Sequence, residues 1–132
     1  MIKRITHVGI AVRSTRETAG IYETLLGLKQ GKDYTLPALK LAFLPVGESS
    51  LELVEPLSDD VPAARFLEER GEGLHHIAFE VEDISAEVKR LKGLGVKLLN
   101  ETPPQGPLGE MLVFIDPVST GGVLVELAEH PR

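Results

Sequence analysis

Two histidines and two glutamates recur in matching contexts and are the side chains of this chain best suited to chemistry. His7 stands in the segment THVGIAV near the start, and His76 stands in HHIAFEV past the middle. Each histidine is followed later by a glutamate between apolar residues, Glu52 in LEL and Glu126 in VEL. Imidazole nitrogens and carboxylate oxygens bind divalent transition metals, so the pattern predicts a shared metal site with one histidine and one glutamate from each half.

Each of these donors alternates with apolar residues along a predicted strand, as His7 does with Val8 and Ile10. Successive side chains of a strand point to opposite faces, so each donor lies opposite the apolar face. If the apolar faces pack on helices, the donors share the remaining face. Two curved sheets would then point the donors into a common cleft, with a small residue such as Gly9 leaving room for a ligand.

The order of the predicted strands and helices that position these donors indicates a duplicated unit in an α+β protein. The prediction is two tandem βαβββ units that form a curved, cleft-enclosing mixed sheet with helices outside. The whole chain, 1–132, is one domain, in which 4–56 is the first unit, 57–73 is a connecting helix and 74–130 is the second unit.

Local signals place the helices and two less regular strands. Ser14 and Asp83 are predicted to cap the helix of each unit, and Asp60 to cap the connecting helix, because their side chains accept hydrogen bonds from free amides at a helix start. A short strand is predicted near 29–30 in the first unit, and the segment 96–99 is its match in the second, because LGLK at 26–29 and LGVK at 94–97 correspond.

Composition excludes several classes of function. The chain has 132 residues, a formal net charge of −6 and no cysteine. An acidic balance argues against nucleic acid or an anionic membrane surface as a partner. The absence of cysteine excludes a disulfide framework, a thiol nucleophile and a cysteine-based zinc site. No apolar run approaches the roughly 20 residues of a membrane helix, and no signal peptide is visible, so a cytoplasmic protein is predicted.

Three further residues near the predicted site are assigned from their positions. Lys40 is predicted to lie on the cleft face, where it would contact a substrate carboxylate or phosphate. His75 points opposite to His76 on the same strand and is interpreted as structural, or as a support for a metal ligand. His130, near the end of the sequence, is interpreted as a solvated side chain.

The repeated His…Glu…His…Glu pattern resembles the vicinal-oxygen-chelate superfamily. This superfamily includes glyoxalase I, extradiol dioxygenases, antibiotic-binding proteins and methylmalonyl-CoA epimerases. Within it, the chain is similar to the epimerase family over nearly its whole length. The resemblance is carried by THVGIAV at 6–12, LELVEPL at 51–57, GEGLHHIA at 71–78 and STGGVLVEL at 119–127.

The resemblance implies epimerisation of methylmalonyl-CoA at carbon 2 by proton abstraction and return through a metal-stabilised enolate. It implies one divalent ion (Co, Ni, Mn, Fe or Zn), an acyl-CoA substrate and a homodimer. Glu126 is the first choice for the base, because metal-bound glutamates have this role in the glyoxalase branch, and Glu52 holds the matching place. Some members carry an additional glutamate base on the strand that here carries Lys40, and no acid stands there.

Other functions of the same fold stay open at this point. Glyoxalase I uses the same four donors on a glutathione hemithioacetal. An extradiol dioxygenase is less compatible, because it needs two histidines, one carboxylate and further acid–base histidines. A metal-free protein that binds a drug or another small molecule would favour aromatic cleft walls, and the chain has no Trp, four Phe and two Tyr.

Overall fold

A computed structural model of the protein describes residues 1–100, 106 and 108–131. No helix among the described residues is long and apolar enough to span a membrane. A short 3-10 helix lies between the last two strands at Pro117–Ser119. The strands and α-helices, in chain order, are β1 (Ile2–Ala11), α1 (Thr15–Leu26), β2 (Asp33–Thr35), β3 (Leu39–Val46), β4 (Ser49–Pro56), α2 (Pro62–Arg70), β5 (Gly73–Val81), α3 (Ile84–Gly93), β6 (Met111–Ile115) and β7 (Val125–Glu129).

The chain divides into two compact units. The first unit is His7–His75, and the second combines Met1–Thr6 with His76–Arg132. The first part of β1 therefore belongs to the second unit, and the rest of that strand belongs to the first. The boundaries of the predicted sequence duplication stay a prediction.

The first unit orders its strands β2-β3-β4-β1. β3 pairs antiparallel with β4, and β1 pairs parallel with β4, so that Gly9 lies opposite Glu52. One face packs on α1 in a cluster that includes Leu44 and Leu53. The other face carries a second cluster in which Leu41 of β3 meets Ala63 of α2. Both faces of β3 are therefore covered.

The second unit orders its strands β5-β7-β6. β5 pairs parallel with β7, and β6 pairs antiparallel with β7. The face that packs on α3 forms an apolar cluster whose most enclosed members are Val81 and Val113. This unit therefore repeats the β1–β4 and β3–β4 pairings of the first unit.

The helix caps follow the sequence in two cases of three. The Ser14 side chain accepts a hydrogen bond from the amide of Glu17, and the Asp83 side chain caps α3 in the same way. The prediction for Asp60 is wrong. Val61 is the N-cap of α2, and its apolar side chain makes no cap hydrogen bond, while the Asp60 carboxylate accepts a hydrogen bond from the Ser58 hydroxyl.

Two strand predictions also need correction. The predicted strand near 29–30 is displaced to β2, beginning at Asp33. In the second unit, the segment 96–99 makes a single bridge to another described residue, between Leu98 and Ile115. The Asn100 side chain ends this pairing, because its amide nitrogen donates to the Leu112 carbonyl, 2.9 Å away, and its oxygen accepts from the Phe114 amide at 2.9 Å.

Candidate functional site

The first unit places His7 beside Glu52. The parallel pairing of β1 and β4 brings the two residues to one face, opposite the apolar residues that pack on α1. His7 Nε2 lies 3.5 Å from Glu52 Oε1. Both residues are buried, with 8% of His7 and 9% of Glu52 exposed.

The second unit builds the same arrangement from different residues. β5 and β7 are parallel, Ala78 lies opposite Glu126, and His76 Nε2 is 3.7 Å from Glu126 Oε1. His76 and Glu126 are buried, with exposed fractions of 8% and 5%. Each predicted donor thus lies beside its predicted partner within one unit.

A phenylalanine supports each histidine, and sequence reasoning missed both. The Phe43 ring meets His7 edge-on at 6.4 Å between centroids and 82°, and the Phe114 ring meets His76 at 6.4 Å and 83°. Phe43 is opposite Glu52 in the β3–β4 register, and Phe114 is opposite Glu126 in the β6–β7 register. The available signal was the position of each Phe on a strand next to the glutamate strand.

The chemistry of each pair fits a divalent transition metal. An imidazole nitrogen and a carboxylate oxygen suit such ions. Two ligand atoms that each lie about 2.1 Å from one ion at a tetrahedral angle are about 3.4 Å apart. The Nε2–Oε1 separations of 3.5 Å in the first unit and 3.7 Å in the second are close to that value. A bound cation would also offset the cost of burying each carboxylate.

Lys40 does not lie where the sequence predicted. It alternates on β3 with Leu41 and shares a face with Ala42, which packs in the cluster against α1. Phe43, on the opposite face, is the residue that contacts His7. The prediction that Lys40 shares the face of Glu52 is therefore wrong. A contact between Lys40 and a substrate stays a prediction, without the placement that suggested it.

The two remaining histidines have structural surroundings of their own. His75 packs edge-on against Phe66, 5.1 Å between ring centroids, and Arg70 lies 5.7 Å from the centre of the Phe66 ring. This is consistent with the structural interpretation of His75. His130 is half-buried, and its Nε2 lies 3.5 Å from Thr6 Oγ1, so the prediction of a solvated side chain is wrong.

Comparison with known proteins assigns this chain to a family. The family model described as the Glyoxalase/Bleomycin resistance protein/Dioxygenase superfamily matches residues 6–114. The chain belongs to this superfamily. The predicted α+β, glyoxalase-like fold class is confirmed.

Individual known proteins are similar to this chain over nearly its whole length. The chain is 42% identical to the protein YqjC of Bacillus subtilis, over 97% of this chain and 93% of that protein. It is 37% identical to the ethylmalonyl-CoA/methylmalonyl-CoA epimerase of Cereibacter sphaeroides, over 98% and 99%. A variant of Streptomyces coelicolor methylmalonyl-CoA epimerase in complex with 2-nitronate-propionyl-CoA is 31% identical, with a TM-score of 0.92 over 100% and 97% of the two chains. The predicted resemblance to the epimerase family is confirmed.

Proposed function

We propose that the protein is an isomerase that epimerises methylmalonyl-CoA at carbon 2. The observation that carries this proposal is the pair of buried His–Glu–Phe arrangements in a chain that resembles methylmalonyl-CoA epimerases along its length. Carbon 2 lies between a thioester and a carboxylate, so its proton is unusually acidic. Epimerisation removes that proton from one face of the carbon and returns a proton to the other.

Four side chains of this protein would hold the metal: His7, Glu52, His76 and Glu126. Each unit supplies one nitrogen and one oxygen donor, which suits Co, Ni, Mn or Zn. When bound, the divalent ion supplies positive charge that stabilises the negative charge developing on the thioester oxygen. The shared use of all four donors by one ion is part of the proposal.

The two glutamates have the proton-transfer roles. Glu126 accepts the proton from carbon 2 as the C–H bond breaks, and the electron pair is delocalised onto the thioester. Glu52, its counterpart in the repeat, is protonated at the start of this direction and donates that proton to the opposite face of the same carbon, which leaves Glu52 ionised and Glu126 protonated. In the reverse direction the two carboxylates exchange these roles. Positioned acid–base groups of this kind contribute about 10²–10⁴-fold to rate.

The surroundings of each carboxylate support this chemistry. Leu41 and Val54 lie on the Glu52 side of the first unit, and Leu112 lies on the Glu126 side of the second. These apolar neighbours exclude water from a reactive carbanion. They also strengthen the interaction of charged groups, because the local dielectric constant is low.

The rival within the superfamily is glyoxalase I, which uses the same donor types on a glutathione hemithioacetal. Turnover of methylmalonyl-CoA should exceed that of the methylglyoxal–glutathione adduct. A homodimer and a cytoplasmic location stay predictions; gel filtration with light scattering tests the first.

The deciding experiment is deuterium incorporation at carbon 2 of methylmalonyl-CoA in D₂O. We expect rapid incorporation with the metal-loaded protein, loss of incorporation after exhaustive chelation, and recovery on adding Co, Ni, Mn or Zn. Incorporation that survives removal of all metal would contradict the metal-dependent mechanism. No incorporation by any metal-loaded form would contradict the epimerase function itself.

A further inference from the structure

Glu110 is a buried carboxylate that the mechanism above does not use. Only 6% of the residue is exposed, and its Oε2 has no hydrogen-bond partner among the residues the structure describes. Its Oε1 accepts one long hydrogen bond, 3.5 Å from the Leu108 amide. A buried carboxylate with an unpaired oxygen destabilises a fold. Such a group is better explained by a ligand than by folding.

Continuing the alternation of β6 by one residue, from Met111 back to Glu110, places Glu110 on the histidine side of the second unit. Val113 and Ile115 of β6 pack in the cluster against α3. Phe114 lies on the other face, where its ring contacts His76, and Glu110 has the same parity. The four residue steps from Glu110 to Phe114 span about 13 Å along a strand.

A contact near Gly106 supports this placement independently. A Cβ added at Gly106 would overlap the Glu110 carboxylate and would lie 2.8 Å from Leu112 Cδ1. The side chains of Glu110 and Leu112 therefore lie side by side, on the face that carries Phe114. A larger residue at position 106 would force the Glu110 carboxylate to move.

The first unit has an apolar pair at the equivalent place. Four residues before the histidine-contacting Phe of that unit stands Leu39, which pairs with Pro56. In the second unit, the residue four positions before the histidine-contacting Phe114 is Glu110. Its partner would be His130, since Met111 pairs with Glu129 in the adjacent position. The two units thus match at the end that carries the His–Glu pair and differ four residues further along the strand.

We propose that Glu110 is a substrate-binding residue whose Oε2 accepts a hydrogen bond from an amide N–H of the pantetheine arm of an acyl-CoA. This inference rests on the proposed function. The arm is neutral and carries amide donors, whereas the phosphates of coenzyme A would be repelled by a carboxylate. The separation of about 13 Å along the strand also favours the arm over the reacting carbon.

The test measures ligand affinity by calorimetry, with propionyl-CoA and propionyl-pantetheine as unreactive probes. Glu110→Leu should weaken both ligands about ten-fold, as expected for the loss of a hydrogen bond to a charged group. Glu110→Gln, which keeps an acceptor oxygen, should lose less. Glu82→Gln, an equal charge change at an exposed residue of the same unit, should bind as the wild type does. Both Glu110 variants should melt at or above the wild-type temperature.

Three outcomes would overturn the proposal. They are equal affinity in wild type and Glu110→Leu, a loss confined to propionyl-CoA, and a wild type that binds neither probe. A loss confined to propionyl-CoA would instead assign Glu110 to the nucleotide end of the ligand. These measurements need no turnover, so they are independent of the deuterium experiment. The deuterium experiment tests the epimerase proposal, and the affinity measurements test the Glu110 proposal.

Discussion

The two units of the molecule agree at one end of their sheets and differ at the other. At the agreeing end, the His–Glu separations are 3.5 Å and 3.7 Å, and the Phe–His centroid distances are both 6.4 Å. At the other end, the first unit has Leu39 opposite Pro56, while the second has the buried Glu110. Divergence is therefore local, a few residues along the same strands.

This difference between the two ends of the units matches what the proposed reaction requires at the two ends of its substrate. Epimerisation treats the two faces of one carbon alike, so it needs equivalent acid–base groups on both sides. The carrier arm of the substrate leaves that carbon in one direction only. A protein with two matching units is thus expected to keep them alike around the reacting carbon and to let them differ where the arm lies.

The largest expected effect comes from removing either histidine. If both pairs hold one ion, His7→Ala and His76→Ala should each lose bound metal and reduce activity by at least about a hundred-fold, because each removes a direct ligand. Elemental analysis of the purified variants and the deuterium assay check this.

The adjacent histidine provides the matched control for these variants. His75→Ala removes an imidazole that packs on Phe66, and it should keep wild-type metal content. Metal loss in only one of the histidine variants His7→Ala and His76→Ala would show that the units bind separately, and would contradict a shared site.

The glutamates should give the next largest effect. Here the roles of the two units can be distinguished, because each glutamate is assigned to one configuration of the substrate. Glu126→Gln should lower kcat by about 10²–10⁴-fold, since a glutamine cannot accept the proton. Glu52→Gln should lower exchange from the opposite configuration of the substrate. Exchange measured separately on each epimer tests the assignment. If both variants keep full epimerase activity and metal content, neither carboxylate is the base.

Sequence reasoning predicted the four donors because each alternates with apolar residues on a strand whose other face packs on a helix. Its failure at Lys40 has a definite cause. β3 is apolar on both faces, with Leu41 covered by the α2 contact and Ala42 covered by α1. Alternation alone cannot tell which face is which when both are buried. The side of Lys40 follows only from the tertiary packing of α2.

The residues that sequence reasoning missed lacked a local signal. Phe43 and Phe114 looked like ordinary core residues, and only the strand register places them on the histidines. Glu110 follows a Pro- and Gly-rich segment, 103–109, which the sequence predicts as a loop, and residues 103–105 and 107 of that segment lie outside the described residues. Asp60 is not the cap because the N-cap of α2 is the next residue, Val61, and the Asp60 carboxylate accepts a hydrogen bond from the Ser58 hydroxyl.

A smaller effect is expected from the phenylalanines. Phe43→Leu and Phe114→Leu each remove an edge-on ring contact, and aromatic contacts of this kind stabilise by amounts that correspond to about 3–10-fold in affinity. Metal dissociation constants should rise by similar factors in the two variants, with little change in metal-saturated kcat. An effect in only one variant would show that the two phenylalanines differ in their contribution to metal binding although their ring distances to the histidines are equal.

The smallest effect concerns acid stability, at a position where the units again differ. Glu80 lies two residues after the position opposite Glu126 in the second unit. The equivalent residue of the first unit, two residues after the position opposite Glu52, is the fully buried Ala11. Burial raises the pKa of Glu80, but the Arg4 hydrogen bond and charge outweigh it, so the pKa lies below its ordinary value of 4.5. The Arg4–Glu80 pair, 2.6 Å apart, therefore stabilises the fold above that pH and loses this effect as the carboxylate protonates below it.

Glu80→Gln removes this acid-sensitive pair and should flatten the dependence of stability on pH. Urea midpoints at about pH 6 and about pH 3.5 should fall less in the variant than in the wild type, because the variant has no charged pair to lose. Glu82→Gln, at an exposed residue nearby, should keep the wild-type dependence. An equal fall of the midpoint in Glu80→Gln and wild type would show that acid sensitivity arises elsewhere than at this charged position of the second unit.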